Sequence, residues 1–465
     1  MRKEIVVGLS FLLMSCAVGP DYHKPKLYSD TDLQQSIGIK SISTKQISIN
    51  WYKQFNDNIL NKLIEVALHQ SPDVSVAVQR LREARSNWRI NRVNNLPQFN
   101  ASGSYDYSKT SRALGYNLTP DYYQTGLDAS WELDIWGGGR RQTENALSLA
   151  EAAAASLENV QLSLTAEVAT NYIMLRTTQE QIRIAKQNLQ LQEDIFNTIA
   201  AKRKYGLADE VSYKQAEYTM ENTGSKIPEL QKQAEVYRNS LTVLVGKLPS
   251  KLDNLLSPKK HNLIRTRFNY DLQNLYNFPI VSIRNRPDVK IAERQLHAEN
   301  ALVGAAIAAM YPSVSLSGFI GWQAPEISGL VDRESYGYSY KPAINLPVFH
   351  WGQLQNQVEK QKASTLAAFF NYQKAVLNAV AEVKNSMVGL QEEYNKNVSS
   401  YKAAQAQKIA SDLMLEKYKN GLVEFSDVMI SQQQRLAAQE QLVNSNGQIY
   451  LDIIAFYKSV GGGYS

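Results

Sequence analysis

The sequence predicts a mainly helical chain that carries four membrane-type β-strands and is written twice. Three observations lead there. Landmark residues recur at one unvarying offset, short segments alternate apolar and polar residues with a period of two, and two long stretches keep apolar side chains at steps of three and four.

The offset is 215 residues. Ser71-Pro72-Asp73-Val74 returns as Arg286-Pro287-Asp288-Val289, Pro97 as Pro312, and Ser102-Gly103 as Ser317-Gly318. Trp136-Gly137 returns as Trp351-Gly352, Gly206-Leu207 as Gly421-Leu422, and Val245-Gly246 as Val460-Gly461. One such pair is chance; six at one spacing mark two copies of one structural unit. The copies are expected over 57–247 and 272–462, with 463–465 as a tail. Between them, 248–271 holds Pro249, Pro258 and the basic run Lys259-Lys260-His261, and reads as a connecting segment.

The first residues set the compartment. Arg2 and Lys3 precede an apolar run from Ile5 to Met14, too short to span a bilayer but suited to the core of a signal peptide. Leu13-Met14-Ser15-Cys16 then resembles a bacterial lipobox, with 1–15 removed and Cys16, the only cysteine, acylated. Residues 16–56 become a lipidated N-terminal segment, and no disulfide can form within the chain. Ala17 in place of an aspartate implies release to the outer membrane. Several acyl chains, at ~0.8 kcal/mol per buried CH₂, make the stable anchor that one chain does not.

Composition removes other classes. The chain of 465 residues has a net charge of +6 with 20% charged residues, too balanced to neutralise a nucleic acid, and 44% apolar residues, enough for a folded core. No run of eighteen apolar residues follows the leader, so the chain has no transmembrane helix and is not itself an inner-membrane pump.

Each copy repeats one order of elements. A helical stretch comes first, Ile59 to Arg92 or Val289 to Ala309, and a proline, Pro97 or Pro312, closes it. Two alternating segments follow, over about 98–109 and 122–135 in the first copy and 313–323 and 335–348 in the second. Phe99, Ala101, Gly103, Tyr105 and Tyr107 interleave with Asn100, Ser102, Ser104, Asp106 and Ser108. A half-buried soluble sheet shows the same alternation. The aromatic load and the length favour strands that cross a bilayer, since roughly 9–11 tilted residues suffice. Trp131, Trp136, Trp322 and Trp351 fall in or at the ends of these segments, as an interfacial girdle requires.

Long helices come next, about 140–203 and 353–418. In the second, Leu366, Phe369, Gln373, Val376, Val380, Val383, Met387, Leu390 and Tyr394 form an expected coiled-coil seam. Roughly 65 residues at 1.5 Å rise span about 100 Å, far beyond the need of a globular domain. Turns at Gly206 and Gly421 end these helices, and a returning helix closes each copy. Four strands cannot close a barrel, because barrels begin at eight and an open edge is not tolerated in lipid. Several chains must pool their strands, with the helices lining a hollow extension.

Enzymatic readings find no support. His23, His69, His261, His297 and His350 are scattered without metal-ligand spacing, and no GxSxG or GxxxxGK[ST] motif occurs. Asp209-Glu210 and Glu392-Glu393 are adjacent pairs that project apart on helices or turns. The run Gly137-Gly138-Gly139-Arg140-Arg141 could cradle a phosphate, yet its counterpart around Trp351-Gly352 loses the other glycines and both arginines. The stretch instead reads as the elbow where strand becomes helix, with Trp136 and Trp351 at the membrane interface and Arg140 and Arg141 toward phospholipid head groups.

These residues resemble the outer-membrane efflux factors, or TolC-like channels, in their lipoprotein branch. The resemblance covers nearly the whole chain. It rests on Cys16-Ala17-Val18-Gly19-Pro20-Asp21-Tyr22 with Pro25, and on Trp51 to Phe55 with Asp57. It continues through Asn285 to Val289, Ala292 to Leu296, Tyr311-Pro312-Ser313, Asp134 to Arg141 and Val460 to Gly463. It implies a homotrimer with a twelve-stranded barrel and a helical tunnel, no catalytic residue, and no cofactor beyond the lipid on Cys16. The implied partners are a periplasmic adaptor and an inner-membrane transporter of the resistance–nodulation–division class.

In that reading Gly206, Leu207, Gly421 and Leu422 are tip turns for adaptor docking, and Asp427 contributes to an acidic ring at the periplasmic aperture. The chain departs from some relatives at Ile430, where a second acidic ring can stand, and at Ser212 and Val423, where polar partners can latch the tip. A protein-secretion or metal-ion export channel is the alternative within the class. A periplasmic coiled-coil scaffold is the alternative outside it, though it would lack paired amphipathic strands in both copies.

Overall fold

The computed structural model describes residues 17–38, 48–107, 121–258, 264, 278–279 and 281–463. Residues 1–16, on which the expected signal peptide and the expected acylation of Cys16 fall, lie outside the described residues, as do 259–263 and 265–271 of the connecting segment.

Eight helices longer than one turn and four strands order the described chain. Helix α1 (Asp30–Ile37) and a 3₁₀ turn (Trp51–Phe55) precede the first copy. The copy itself consists of α2 (Asn58–Gln70), α3 (Pro72–Val93), β1 (Gln98–Tyr107), β2 (Asp121–Leu133), α4 (Gly138–Lys204) and α5 (Glu210–Leu244). The second has α6 (Pro287–Ala308), β3 (Ser313–Ala324), β4 (Tyr336–Asn345), α7 (Gln353–Lys419) and α8 (Phe425–Ser459). Three helix pairs keep the internal repeat to the residue. Helices α3 and α6 are each 22 residues long, α4 and α7 each 67, and α5 and α8 each 35.

The chain divides into two units, one from Met1–Lys26, Gln79–Ala155 and Lys290–Lys374, the other from Leu27–Val78, Ser156–Val289 and Ala375–Ser465. The first holds the sheet. Its order is β1-β2-β3-β4, antiparallel throughout, and β1 and β4 each have a single neighbour. Register sorts the side chains by face. One face carries rows such as Phe99, Ala129, Gly318 and Tyr340, or Ala101, Leu127, Ile320 and Tyr338. Phe99, Tyr340 and Ile344 on it are 71%, 76% and 75% exposed, so a broad aromatic surface has no cover among the described residues. The other face carries Ser104, Gln124 and Gln323 in one row, with Gln323 Nε2 donating to Gln124 at 2.7 Å. Gly126 and Gly321 face each other there because the Phe319 ring lies over both, where a Cβ on either would meet it.

The strand β4 stops at Asn345, short of the expected 348, because its partner β3 begins only at Ser313, after Pro312. Beyond it Pro347 has no N–H to give a ladder.

The second unit is helical. The single expected helix from Ile59 to Arg92 is two: Ser71 takes an extended conformation (φ −62°, ψ 132°) and ends α2, and Pro72 opens α3. Proline lacks the N–H that a continuing helix needs but suits a first turn. Asp57 caps α2, accepting from the Ile59 and Leu60 amides at 2.8 and 3.2 Å, and takes the Tyr172 hydroxyl at 2.6 Å. The buried stripe of α7 also differs from the expected seam. Val376, Val383, Leu390, Asn397, Ala404 and Ser411 recur every seven residues and are all buried, whereas Leu366 is 55% exposed. Val380, Met387 and Tyr394 flank this stripe and are only partly buried. Among the described residues no helix is long and apolar enough to cross a membrane.

Candidate functional site: the hairpin tips and the elbow

Both tips are built by one device. Gly206 (φ 71°) accepts the left-handed conformation that ends α4, and the Leu207 amide reaches back to the Lys202 carbonyl at 2.9 Å. Gly421 (φ 73°) does the same for α7, with Leu422 reaching Lys417 at 3.0 Å. This pair of back-bonds satisfies carbonyls that the helix end would otherwise orphan. Nothing lies within 4 Å of the Cβ position of either glycine, and Leu207 and Leu422 are 74% and 70% exposed. Apolar side chains so presented are available to a partner.

The return helices start differently. Asp209 caps α5 by accepting from the Ser212 amide at 2.8 Å, and hydrogen bonds from Ser212 hold its carboxyl below the usual 3.8. At the matching position in the second copy Glu424 makes no side-chain cap, and Asp427 stands where the first copy has Ser212. Asp427 is exposed on the first turn of α8, with Ile430 on the same face, while Val428 and Met429 turn inward.

The two hairpins share one apolar cluster. Ile195 and Ile199 of α4 and Ala216 of α5 pack with Phe425 and Met429 of α8, and Leu415 and Tyr418 of α7 close over them. Lys202 Nζ lies 4.5 Å from the Tyr418 ring centre and 3.4 Å from its hydroxyl, tying the end of α4 to that of α7. An open cavity of about 340 Å³ beside it is lined by Asp194, Thr198, Lys202, Lys419 and the cluster itself. Sequence reading missed this shared plug, because Ile199 and Phe425 belong to different copies and no spacing links them.

The elbow belongs to the other unit. Asp134 makes it: its Oδ1 accepts from the Gly139 amide at 2.9 Å and its Oδ2 from the Arg140 amide at 2.8 Å, capping the first turn of α4. Arg140 Nε returns to the same carboxylate at 3.2 Å. Gly137 (φ 80°) turns the chain, and a Cβ on Gly139 would collide with Asn95. Trp136 is half-buried: its indole N–H donates to the Pro312 carbonyl at 2.8 Å, and its ring stacks on Tyr311 at 4.6 Å. Its counterpart Trp351 is 88% exposed.

Arg141 corrects the sequence reading. It does not turn outward to head groups; its side chain is 6% exposed, with Nη2 on Asp21 Oδ1 at 2.7 Å and Nη1 on Glu144 Oε2 at 2.8 Å. It clamps a strap of N-terminal residues. The Val18 amide donates to the Trp136 carbonyl at 3.0 Å, and Gly19 passes so close to Gly304 that a Cβ there would lie 2.4 Å from its Cα. Tyr22 stacks on His297 at 4.2 Å and donates to Glu293 at 2.6 Å. Burial pushes Glu293 up, but hydrogen bonds from Arg294 and Tyr22 outweigh it and hold the carboxyl below 4.5. Among the described residues no three His, Cys, Asp or Glu side chains gather as ligands for a metal ion.

A twofold-written chain with an amphipathic sheet and paired 67-residue helices defines an outer-membrane channel architecture. The chain belongs to the family described as Outer membrane efflux protein, whose sequence profile matches residues 63–247 and 281–462. The cation efflux system protein CusC of Escherichia coli K12 is 27% identical, over 99% of this chain and 99% of its own. The solved outer-membrane channel OprN is 31% identical, with a TM-score of 0.88 over 97% of this chain and all of that one. The open state of the Neisseria gonorrhoeae MtrE outer membrane channel is 26% identical, with a TM-score of 0.81 over 97% and 99%.

Proposed function

We propose that the chain is the outer-membrane conduit of a tripartite export system, working as a homotrimer. The carrying observation is the four-stranded sheet, with an uncovered aromatic face and two edges that each have one neighbour. Unpaired strand edges are not stable in lipid, so copies must pair them. Three sheets give a barrel of about twelve strands, within the range of known outer-membrane barrels. The long helices continue it as a tunnel into the periplasm. Cys16 carries the lipid that, with the barrel, holds the protein in the outer membrane.

No residue performs covalent chemistry in this reading. An inner-membrane transporter of the resistance–nodulation–division class supplies the energy, and a periplasmic adaptor docks on the tips. Gly206, Leu207, Gly421 and Leu422 present the exposed turns it would grip. Asp427 of each subunit faces the axis, and a ring of carboxylates there repels anions and attracts cations.

Substrate choice rests with the pump. The cation efflux named for CusC supports metal-ion export as a second reading, tested by whether deletion sensitises cells to transition-metal cations rather than to organic drugs. Conductance of the purified protein in planar bilayers tests the channel itself: stepwise currents are expected, and their absence with a monomeric, detergent-free soluble protein would return the scaffold reading. Asp427→Ala is expected to weaken block by divalent cations. Identical single-channel records with and without the carboxylate would remove Asp427 from the aperture.

A further inference from the structure

Helix α8 is unevenly held. From Val443 to Tyr457 it buries Ile449, Tyr450, Ile453, Ile454 and Phe456, and at its start it buries Phe425, Val428 and Met429. Between Met429 and Val443, about 20 Å of helix, only Ser431, Gln432 and Leu436 are buried. Asn188 on Gln439, Gln407 on the Ser431 carbonyl and Arg435 on Asp412 make this stretch a polar contact.

At its lower end lies a layer with unmet hydrogen bonds. Gln192 is one turn above Ile195 on α4, Ser411 one turn above Leu415 on α7, and Gln432 one turn above Met429 on α8; the three lower residues all belong to the tip cluster. The helical step therefore puts the three polar residues in the layer next to that cluster. They are 3%, 0% and 2% exposed. Among the described residues, Gln192 Oε1, Ser411 Oγ and both amide atoms of Gln432 have no hydrogen-bond partner. Four such atoms in a dry interior are costly, and a polar layer of this kind is satisfied by internal water.

We propose that Gln192, Ser411 and Gln432 form a hydrated joint in the channel wall, at which the first turns of α8, carrying Asp427, move against α4. The apolar cluster below is the catch that holds the arrangement seen here. Amide groups bridged by water exchange partners during a small slide, whereas interlocked apolar side chains have to separate first. The inference rests on the channel reading above.

The test compares Gln432→Leu, Gln432→Asn and Phe425→Ala in the full-length lipidated protein, reconstituted in bilayers. Gln432→Leu replaces the unmet amide with an apolar side chain of similar size. It is expected to raise the melting temperature of the assembled protein and cut open probability roughly tenfold, the factor that about 1.4 kcal/mol gives. Gln432→Asn, which keeps an amide, conducts within about threefold of wild type, and Phe425→Ala raises open probability. A Gln432→Leu protein that conducts like wild type, or melts lower, overturns the joint. Wild-type protein without current overturns the channel reading alone. The joint is then judged by amide exchange across 425–436, which Gln432→Leu slows and Phe425→Ala quickens; exchange unchanged by both overturns it.

Discussion

Arg141→Ala should release the N-terminal strap while leaving the sheet and helices folded. The guanidinium is 6% exposed and has four acceptors: Asp21 Oδ1 at 2.7 Å, Glu144 Oε2 at 2.8 Å, and the Val18 and Gly19 carbonyls at 3.4 and 3.5 Å. Asp21 is largely in water and is assigned no share of the energy. Glu144 lies on α4 beside Arg141 and stays there whether the strap is docked or released, so that pair does not enter. The strap loses the hydrogen bonds to the Val18 and Gly19 carbonyls, which are long and together contribute about 1.4 kcal/mol. That is a factor of about ten in the opening equilibrium of the strap.

The reporter is the Val18 amide, bonded to the Trp136 carbonyl at 3.0 Å. Its hydrogen exchange, followed on a peptide covering 17–22, should quicken by about one order of magnitude. Arg140→Ala is the control: that guanidinium turns to Asp134, so Val18 stays protected. Exchange at Val18 unchanged in Arg141→Ala would refute the clamp and leave Tyr22, on Glu293 and His297, as what holds the strap.

Other expectations follow from the same geometry. Gly421→Ala should cost only about 1–2 kcal/mol, the price of a left-handed alanine, because nothing lies near its Cβ; a loss of assembly, read on native gels, would mean the turn is buried in the oligomer. Gly126→Ala should instead destabilise the sheet by driving a Cβ into the Ile320 carbonyl and the Phe319 ring, read as a lower melting temperature, with Gly337→Ala as the mild control, since its Cβ meets nothing within 4 Å. Asp209 titrates below 3.8 in the folded chain, so the α5 cap is intact above that pH and is lost as pH falls through the lower native value. Amides of the first turn of α5 should open in that acid range, and Asp209→Asn should abolish the step.

The architecture was legible because it is periodic. Duplicated landmarks gave the copies, alternation gave the strands, and Gly206 and Gly421 gave the turns that α4 and α7 make. What stayed hidden was contact between distant residues. Arg141 was read as a lipid contact because its partner Asp21 stands 120 positions away, in a segment whose pairing no local pattern encodes. Pro72 is a landmark of the repeat in the sequence, and its missing N–H also ends α2 one residue earlier, at Ser71. The seam of α7 was drawn through apolar residues, while the buried heptad runs through Asn397 and Ser411, polar side chains that periodicity of hydrophobicity does not count. Asp134, five residues before Gly139, carried the general signature of a helix cap and could have been found.

The equal lengths of α4 and α7 constrain how such a protein can change. Because Ile199 and Phe425 meet in one plug, the hairpins of the two copies must reach the same depth. A seven-residue insertion in α4 alone would keep its own heptad phase yet carry its tip about 10 Å past the other. Lengthening therefore has to happen twice, in matched increments. The duplication is a caliper in which each half gauges the other.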